Sequence, residues 1–375
     1  MSRDITIVAD ENLRGKGRFL EPLGKVVTAA GRAIDAAMLE HADALIVRSV
    51  TQVDEVLLAK ADKLRFVGSA TAGLDHIDQA ALDKRGIVFS AAPGSNANSV
   101  VEYVLAAIAA HGNTLERLLG GAKLGIVGQG HVGRLLASRL TALGICHRSY
   151  DPWLDASSSL QDVLACEVIS LHPSLHRREP WPSYHLLGAA QLAQLRDDVL
   201  LINASRGAVL DNPALSTWLR QHPNASAVLD VWEGEPVPNR ALLQQAFIAT
   251  PHIAGYALDA KLKATEQLAA KLCELFPLSW RENNDEADVQ PPLLLQTAEP
   301  AQMLRALLTA RYDICRDHQR FVAMCRDAQG REALAAGFDA LRKHYPERRE
   351  LAGANVVVEC ETGCRLAKAL GAVVC

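Results

Sequence analysis

Leu124-Gly125-Ile126-Val127-Gly128-Gln129-Gly130-His131-Val132-Gly133 is an apolar run that breaks into a glycine-rich turn. A helical pattern over residues 132–143 follows it. Strand, Gly-x-Gly-x-x-Gly turn and helix, in that order, make the phosphate cradle of a dinucleotide-binding unit. Gly128 permits the tight turn, Gly130 lets a pyrophosphate approach the backbone, and Gly133 lets helix and strand pack closely. The positive end of the helix then favours the phosphates. Asp151 lies 21 residues after Gly130, at the end of the next expected strand, 145–150. A carboxylate there accepts hydrogen bonds from the adenosine ribose and repels a 2′-phosphate, which favours NAD over NADP. Arg148 nearby pulls the other way, and Asp151-Pro152 also reads as a simple turn.

Outward from this unit, short apolar runs keep alternating with helical stretches. Strands are expected at 168–171, 199–203, 227–230 and 247–249, and Asn212-Pro213 is expected to cap and open a helix. Upstream, Ile5-Thr6-Ile7-Val8-Ala9, Ala44-Leu45-Ile46-Val47 and Phe66-Val67-Gly68 read as buried parallel strands. Ser99-Val100-Val101-Glu102 has the form of a capping box before a helix that is apolar almost all round. The fold expected is α/β, with two doubly wound parallel-sheet lobes flanking a cleft: a Rossmann nucleotide lobe and a flavodoxin-like substrate lobe. The helical stretch 259–276 follows the second lobe and is placed to cross back to the first. The polar run 281–286 and Pro291-Pro292 read as a linker. From Leu293 an appended α+β domain is expected, with Asn355-Val356-Val357-Val358-Glu359 as a strand. The expected boundaries are 1–97 with 257–280, then 98–256, then 281–375.

The 375 residues, 49% hydrophobic and 22% charged, suit a soluble globular chain of two or three domains. The net charge of -4 gives no electrostatic reason to bind nucleic acid. No apolar stretch reaches the ~18 residues of a membrane helix, and Met1-Ser2-Arg3-Asp4 shows no signal peptide. The eight cysteines are scattered without a Cys-x-x-Cys pair, so buried free thiols in a cytoplasmic protein are expected.

Three further stretches carry chemistry. Arg206, in Asn203-Ala204-Ser205-Arg206-Gly207, follows a very apolar strand and can offer its guanidinium fork to a carboxylate. His252 follows another strand in Thr250-Pro251-His252-Ile253-Ala254-Gly255. Alone, Arg206 reads as a surface ion-pair residue and His252 as a structural histidine. Glu235, in Asp230-Val231-Trp232-Glu233-Gly234-Glu235-Pro236, changes both readings. A carboxylate beside an imidazole fixes its tautomer and suits it to shuttle a proton. Together the three residues suffice to move a hydride to or from a carbon that bears a hydroxyl beside a carboxylate, and no metal is needed.

These stretches resemble the D-isomer-specific 2-hydroxyacid dehydrogenases over about residues 5–275. Val47-Arg48-Ser49-Val50-Thr51, Ala70-Thr71-Ala72-Gly73, Ser90-Ala91-Ala92-Pro93-Gly94 and His252-Ile253-Ala254-Gly255-Tyr256 extend the likeness. So does Ala340-Leu341-Arg342-Lys343-His344-Tyr345-Pro346, which is similar to the C-terminal dimerisation domain of a narrower branch that acts on a small phosphorylated hydroxy acid. The resemblance implies a cytoplasmic NAD-dependent enzyme that forms a homodimer through its tail. Arg206 and Glu235 would be catalytic, and His252 the proton donor or acceptor. Gly128, Gly130, His131, Val132, Gly133, Asp151, Ala204, Ser205, Arg206, Asp230 and Gly255 would contact NAD. Ser49, Thr71 and Tyr256 would contact substrate. A substrate phosphate needs a cation, for which Arg48, Arg348 and Arg349 are candidates; the last two read equally as a solvated basic face. The usual His-Thr-Pro-Leu is replaced by His172-Pro173-Ser174-Leu175, so the Thr contact to the cofactor is not carried over, and Ser174 is a possible substitute. A relative acting on 3-phosphoglycerate or a simple D-2-hydroxy acid, and a non-catalytic NADH sensor, are the competing readings.

Overall fold

The structure is a computed structural model that describes residues 5–71, 73–278, 291–294 and 299–375. The expected linker at 281–286, Ala72 and the first four residues lie outside the described residues. Two compact units account for the chain: Met1–Asn96 with Ala257–Val289, and Ala97–Tyr256 with Gln290–Cys375.

The first unit is built on five parallel strands: β1 (Ile5–Asp10), β2 (Gly24–Ala29), β3 (Ala44–Val47), β4 (Phe66–Ser69) and β5 (Val88–Ala91). Their order is β2-β1-β3-β4-β5, the flavodoxin-like arrangement. β3 and β4 are buried along their whole length, and β1 at all but one residue. These were the strands legible as apolar runs. β2 and β5 form the two edges and are only partly buried, so neither carries an apolar run that would mark it. The helix Leu258–Leu275 packs Leu268, Ala269 and Leu272 against Ile7, Ile46 and Phe66 in one core.

The second unit holds six parallel strands: β6 (Leu124–Val127), β7 (His147–Tyr150), β8 (Val168–Leu171), β9 (Leu200–Asn203), β10 (Ser226–Leu229) and β11 (Ile248–Ala249). They run in the order β11-β10-β9-β8-β6-β7. The order reverses at β6, and open α/β sheets bind ligands outside the strand ends at such a point. A smaller parallel sheet, β12 (Leu293–Leu294), β13 (Asn355–Val357) and β14 (Val373–Val374), accompanies the C-terminal helices Pro300–Arg311, Ile314–Asp327, Gly330–Lys343 and Glu361–Ala369. Among the described residues, no helix is long and apolar enough to cross a membrane.

Three local expectations are corrected. The apolar helix starts at Ala97, so Ser99 lies inside it and no capping box forms with Glu102. Ser99 instead gives its amide and hydroxyl to Glu350 Oε1 at 3.1 and 2.6 Å, while Glu102 Oε1 accepts the amides of Leu351 and Ala352 at 2.8 and 2.9 Å. The helix is buried by the C-terminal segment, and remote partners replace the local cap. The helix Asn212–Gln221 is capped by Asp211, whose side chain accepts from the Ala214 amide. All eight cysteines are free, but only Cys166 and Cys325 are buried, and four are exposed.

Candidate active site

Gly128 has φ of 88°, a conformation that residues with side chains rarely adopt. A Cβ on Gly133 would lie 1.9 Å from the Gly128 carbonyl oxygen, so only glycine lets helix and strand approach this closely. The helix His131–Leu143 begins at Gly130 with no side-chain cap, and a Cβ built on Gly130 would meet nothing within 4 Å. Uncapped amides beside open space suit a pyrophosphate. Asp151 closes the far side: its Oδ2 accepts the Gln129 amide at 2.8 Å and its Oδ1 the Trp153 amide at 3.2 Å. Those bonds place the carboxylate at the turn and leave acceptor capacity for ribose hydroxyls. The residues therefore fit a dinucleotide. Pro173 packs its backbone against Gly128, while the Ser174 carbonyl accepts from the Ser183 hydroxyl.

His252 has φ of 58°, one of two non-glycine residues with positive φ among those described. A bulky residue in the left-handed region persists only where its surroundings over-determine it. Asp230, just beyond β10 and nearly fully buried, does this. Its carbonyl accepts the His252 amide at 2.7 Å, Oδ1 takes the Thr250 hydroxyl and the Ile253 amide at 2.6 and 2.8 Å, and Oδ2 takes the Ala254 amide at 2.9 Å. With the turn fixed, His252 Nδ1 meets Glu235 Oε2 at 2.8 Å. The other carboxylate oxygen, Oε1, accepts the Trp232 amide at 2.7 Å, and the Trp232 indole donates to the Thr250 carbonyl at 2.9 Å. Burial pushes the Glu235 carboxyl up, but the His252 charge and hydrogen bond, the Trp232 amide and the Arg342 charge outweigh it, so the net shift is downward. Glu235 is thus held as a carboxylate, which makes Nδ1 of His252 the donor and leaves Nε2 to exchange a proton.

Arg206 is brought to this pair by backbone contact. A Cβ on Gly207 would lie 2.0 Å from the Trp232 carbonyl carbon, so the arginine loop rests directly on the loop that carries Glu235. Asn212, 2% exposed, staples the two: its Oδ1 accepts the Glu233 amide at 3.1 Å, and its Nδ2 donates to the Gly207 and Leu210 carbonyls at 3.4 and 2.7 Å. Arg206 Nη1 donates to the Ser205 carbonyl at 2.8 Å, and Asn203 ties the loop through the Ser205 amide and hydroxyl. Ala204 and Gly255 are partly exposed on the same two turns.

Three of the expected substrate residues belong to the first unit. Arg48 faces the buried Asp10 at 3.8 Å, Ser49 is exposed, and Thr71 bonds the Ser69 hydroxyl at 2.9 Å. The fourth, Tyr256, lies edge-on to Tyr345 with ring centroids 5.8 Å apart. Arg348 is not part of a solvated basic face. It is buried, donates to the Ala254 carbonyl at 2.6 Å and lies 4.1 Å from the Tyr312 ring centroid. Elsewhere, His185 Nε2 bonds Glu233 Oε1 at 2.8 Å, with Asp211 close by.

Sequence reasoning missed Asn212 as a staple and the whole C-terminal contribution to the histidine turn. Besides Arg348, Tyr345 donates to Asp317 within the C-terminal segment at 2.6 Å, and Tyr103, on the apolar helix Ala97–Ala110, bonds Thr250 at 2.8 Å. No local signal marks these pairs, because their members come from different elements of the chain.

The chain is similar to known proteins along most of its length. Residues 100–254 match the family model described as "D-isomer specific 2-hydroxyacid dehydrogenase, NAD binding domain", and residues 287–371 match "Domain of unknown function (DUF3410)". The chain is 45% identical over 356 residues to an erythronate-4-phosphate dehydrogenase of Cellvibrio japonicus, covering 92% of each chain. It is 43% identical over 364 residues to one of Stutzerimonas stutzeri, covering 94% of each. Among solved structures, an NAD+-bound 3-phosphoglycerate dehydrogenase of Entamoeba histolytica aligns with a TM-score of 0.62 at 24% identity, over 73% of this chain and 96% of that one. The likeness to this last structure is one of fold.

Proposed function

The chain belongs to the D-isomer specific 2-hydroxyacid dehydrogenase family, and on that premise we propose that it oxidises 4-phospho-D-erythronate with NAD. The product is (R)-3-hydroxy-2-oxo-4-phosphooxybutanoate, on the route to pyridoxal 5′-phosphate (vitamin B6). The observation that carries the chemistry is the 2.8 Å contact between His252 Nδ1 and Glu235 Oε2, on a turn held by Asp230. The substrate assignment draws on the names of relatives that match over nearly the whole chain.

In this reading NAD, when bound, supplies the acceptor for the hydride that leaves C2. The protein's own groups do the rest. The Arg206 fork binds the substrate carboxylate and draws electron density towards the carbonyl that develops beside it. His252 Nε2 takes the C2 hydroxyl proton, and Glu235 stabilises the imidazolium so formed. In reduction the same nitrogen returns the proton. The turn at Gly128–Gly133, Asp151, the Ala204-Ser205 backbone, Asp230 and Gly255 would hold the cofactor, and Ser49, Thr71 and Tyr256 the substrate. A cytoplasmic homodimer through residues 281–375 goes with this reading; the exposed Leu294, Val357 and Val373 on the small sheet supply apolar surface for it.

The test is NADH formation by the purified protein with 4-phospho-D-erythronate, 3-phospho-D-glycerate and D-lactate, using a carbonyl trap to pull the oxidation. Selective turnover of the first is expected. Preference for either of the others would overturn the substrate assignment, and inertness towards all three with NADH binding intact would overturn the enzyme reading.

A further inference from the structure

The geometry points to Arg342, on the C-terminal helix Gly330–Lys343, as the residue that receives the phosphoryl group of the substrate. This rests on the function proposed above and assigns a task within it to the segment 287–371, which matches a domain of unknown function.

The guanidinium carbon of Arg342 lies 5.5 Å from the Tyr256 ring centroid and 5.8 Å from that of Phe338. Both distances fall within cation–π range. Two aromatic rings thus hold the planar fork while its Nε, buried, has no hydrogen-bond partner among the described residues. Fixing an arginine side chain and burying part of its donor set is costly unless an anion or acceptor meets it. An arginine prepared in this way suits an anion that arrives from outside, and the guanidinium fork matches a phosphate in a two-point contact.

Its position relates this anion to the reaction. Tyr256 closes the turn that begins at His252, and Arg342 is among the charges that act on Glu235. Arg342 therefore addresses the same site as the proton-transfer pair, from the helix packed near Tyr256, whereas Arg206 enters on the loop packed against Trp232. A substrate with a carboxylate at one end and a phosphoryl group at the other presents one anion to each arginine. Two of the other candidates are engaged otherwise: Arg348 is committed to the Ala254 carbonyl and the Tyr312 ring, and Arg48 faces Asp10. An acid without the phosphoryl group leaves Arg342 unanswered, so the residue sets specificity rather than chemistry.

The experiment uses the full-length protein with Arg342→Lys and Arg342→Ala, NADH affinity serving as the check that each variant folds. Arg342→Ala is expected to raise the KM for 4-phospho-D-erythronate about 100-fold. Turnover of unphosphorylated D-erythronate should fall far less than turnover of the phosphorylated acid, and competitive inhibition by inorganic phosphate should disappear. Arg342→Lys keeps the charge without the fork and is expected to recover part of the loss. Equal losses on the phosphorylated and unphosphorylated acids, or an unchanged KM, would overturn the assignment. So would a shifted pH profile with phosphate discrimination intact, which would make Arg342 a positioning residue for Glu235. If the wild type is inert towards 4-phospho-D-erythronate, the proposed function falls. Phosphate binding to the NADH-bound protein still decides on Arg342: weaker binding in Arg342→Ala supports it and equal binding overturns it.

Discussion

The glycine turn after β6 and the histidine turn after β11 stand at strand ends of one sheet, yet they are held in opposite ways. The glycine turn is closed within a short stretch of chain, by its own φ angles and by the Gln129 amide on Asp151. The histidine turn depends on Asp230 and Glu235 from neighbouring loops and on Arg348, 94 residues from Ala254. Binding phosphates asks only for backbone amides at a helix end, which a local motif supplies. Proton transfer asks for one nitrogen at one position, and that needs a side chain locked from several directions. The glycine turn is therefore self-contained, and the histidine turn is tied to the C-terminal segment.

Substitutions can break that contrast at either turn. Among substitutions that disturb the frame of a turn rather than its reacting groups, the largest effect is expected from Gly133→Val, because even a Cβ falls 1.9 Å from the Gly128 oxygen. NADH affinity, read by fluorescence titration, should drop by more than about 100-fold. Affinity close to wild type would show that the turn has slack the structure does not suggest. Asp230→Asn comes next: its amide would face the Ala254 amide, and the His252 turn would lose a charged acceptor. We expect kcat/KM to fall about 100-fold, since ~1.4 kcal/mol of lost placement is tenfold. A variant as fast as wild type would mean that the turn holds its shape without Asp230.

Asn212→Ala should cost less, roughly tenfold in kcat, because it loosens the Arg206 loop from the Glu235 loop without removing either group. An unchanged kcat would leave the approach at Gly207 as sufficient by itself. The smallest effect is on stability. Burial pushes the Glu102 carboxyl up to about 7, against the pull of the Leu351 and Ala352 amides. Folding therefore favours its protonated form, and the contribution is greatest at acid pH and is lost as pH rises from about 4.5 through 7. Glu102→Gln keeps an oxygen for both amides and should stabilise the protein at pH 8 by about 1–3 kcal/mol, with activity unchanged. Thermal melts at pH 5 and pH 8 check this, and a loss of stability at both would show that the charge is needed.

The same contrast explains what could be read in the sequence. The buried strands and the glycine turn are legible because each satisfies itself nearby, and Arg206, Glu235 and His252 stand out as candidates because each sits in a distinctive short motif. β2 and β5 are not legible, since partly exposed edge strands carry no apolar run. Ser99 and Glu102 were misread because their spacing imitates a local cap, while their true partners lie about 250 residues on. Nothing in the sequence singles Arg342 out within the stretch 340–346, because the role proposed for it depends on its helix packing near Tyr256.

The most direct test of the central claim, that His252 and Glu235 act as one proton relay, is kcat/KM for His252→Ala, Glu235→Gln and the double variant. A loss of about 10²–10⁴ is expected for His252→Ala, a smaller loss for Glu235→Gln, and no further loss when the two are combined. Losses that multiply in the double variant would show that the two residues act independently, and would contradict the claim.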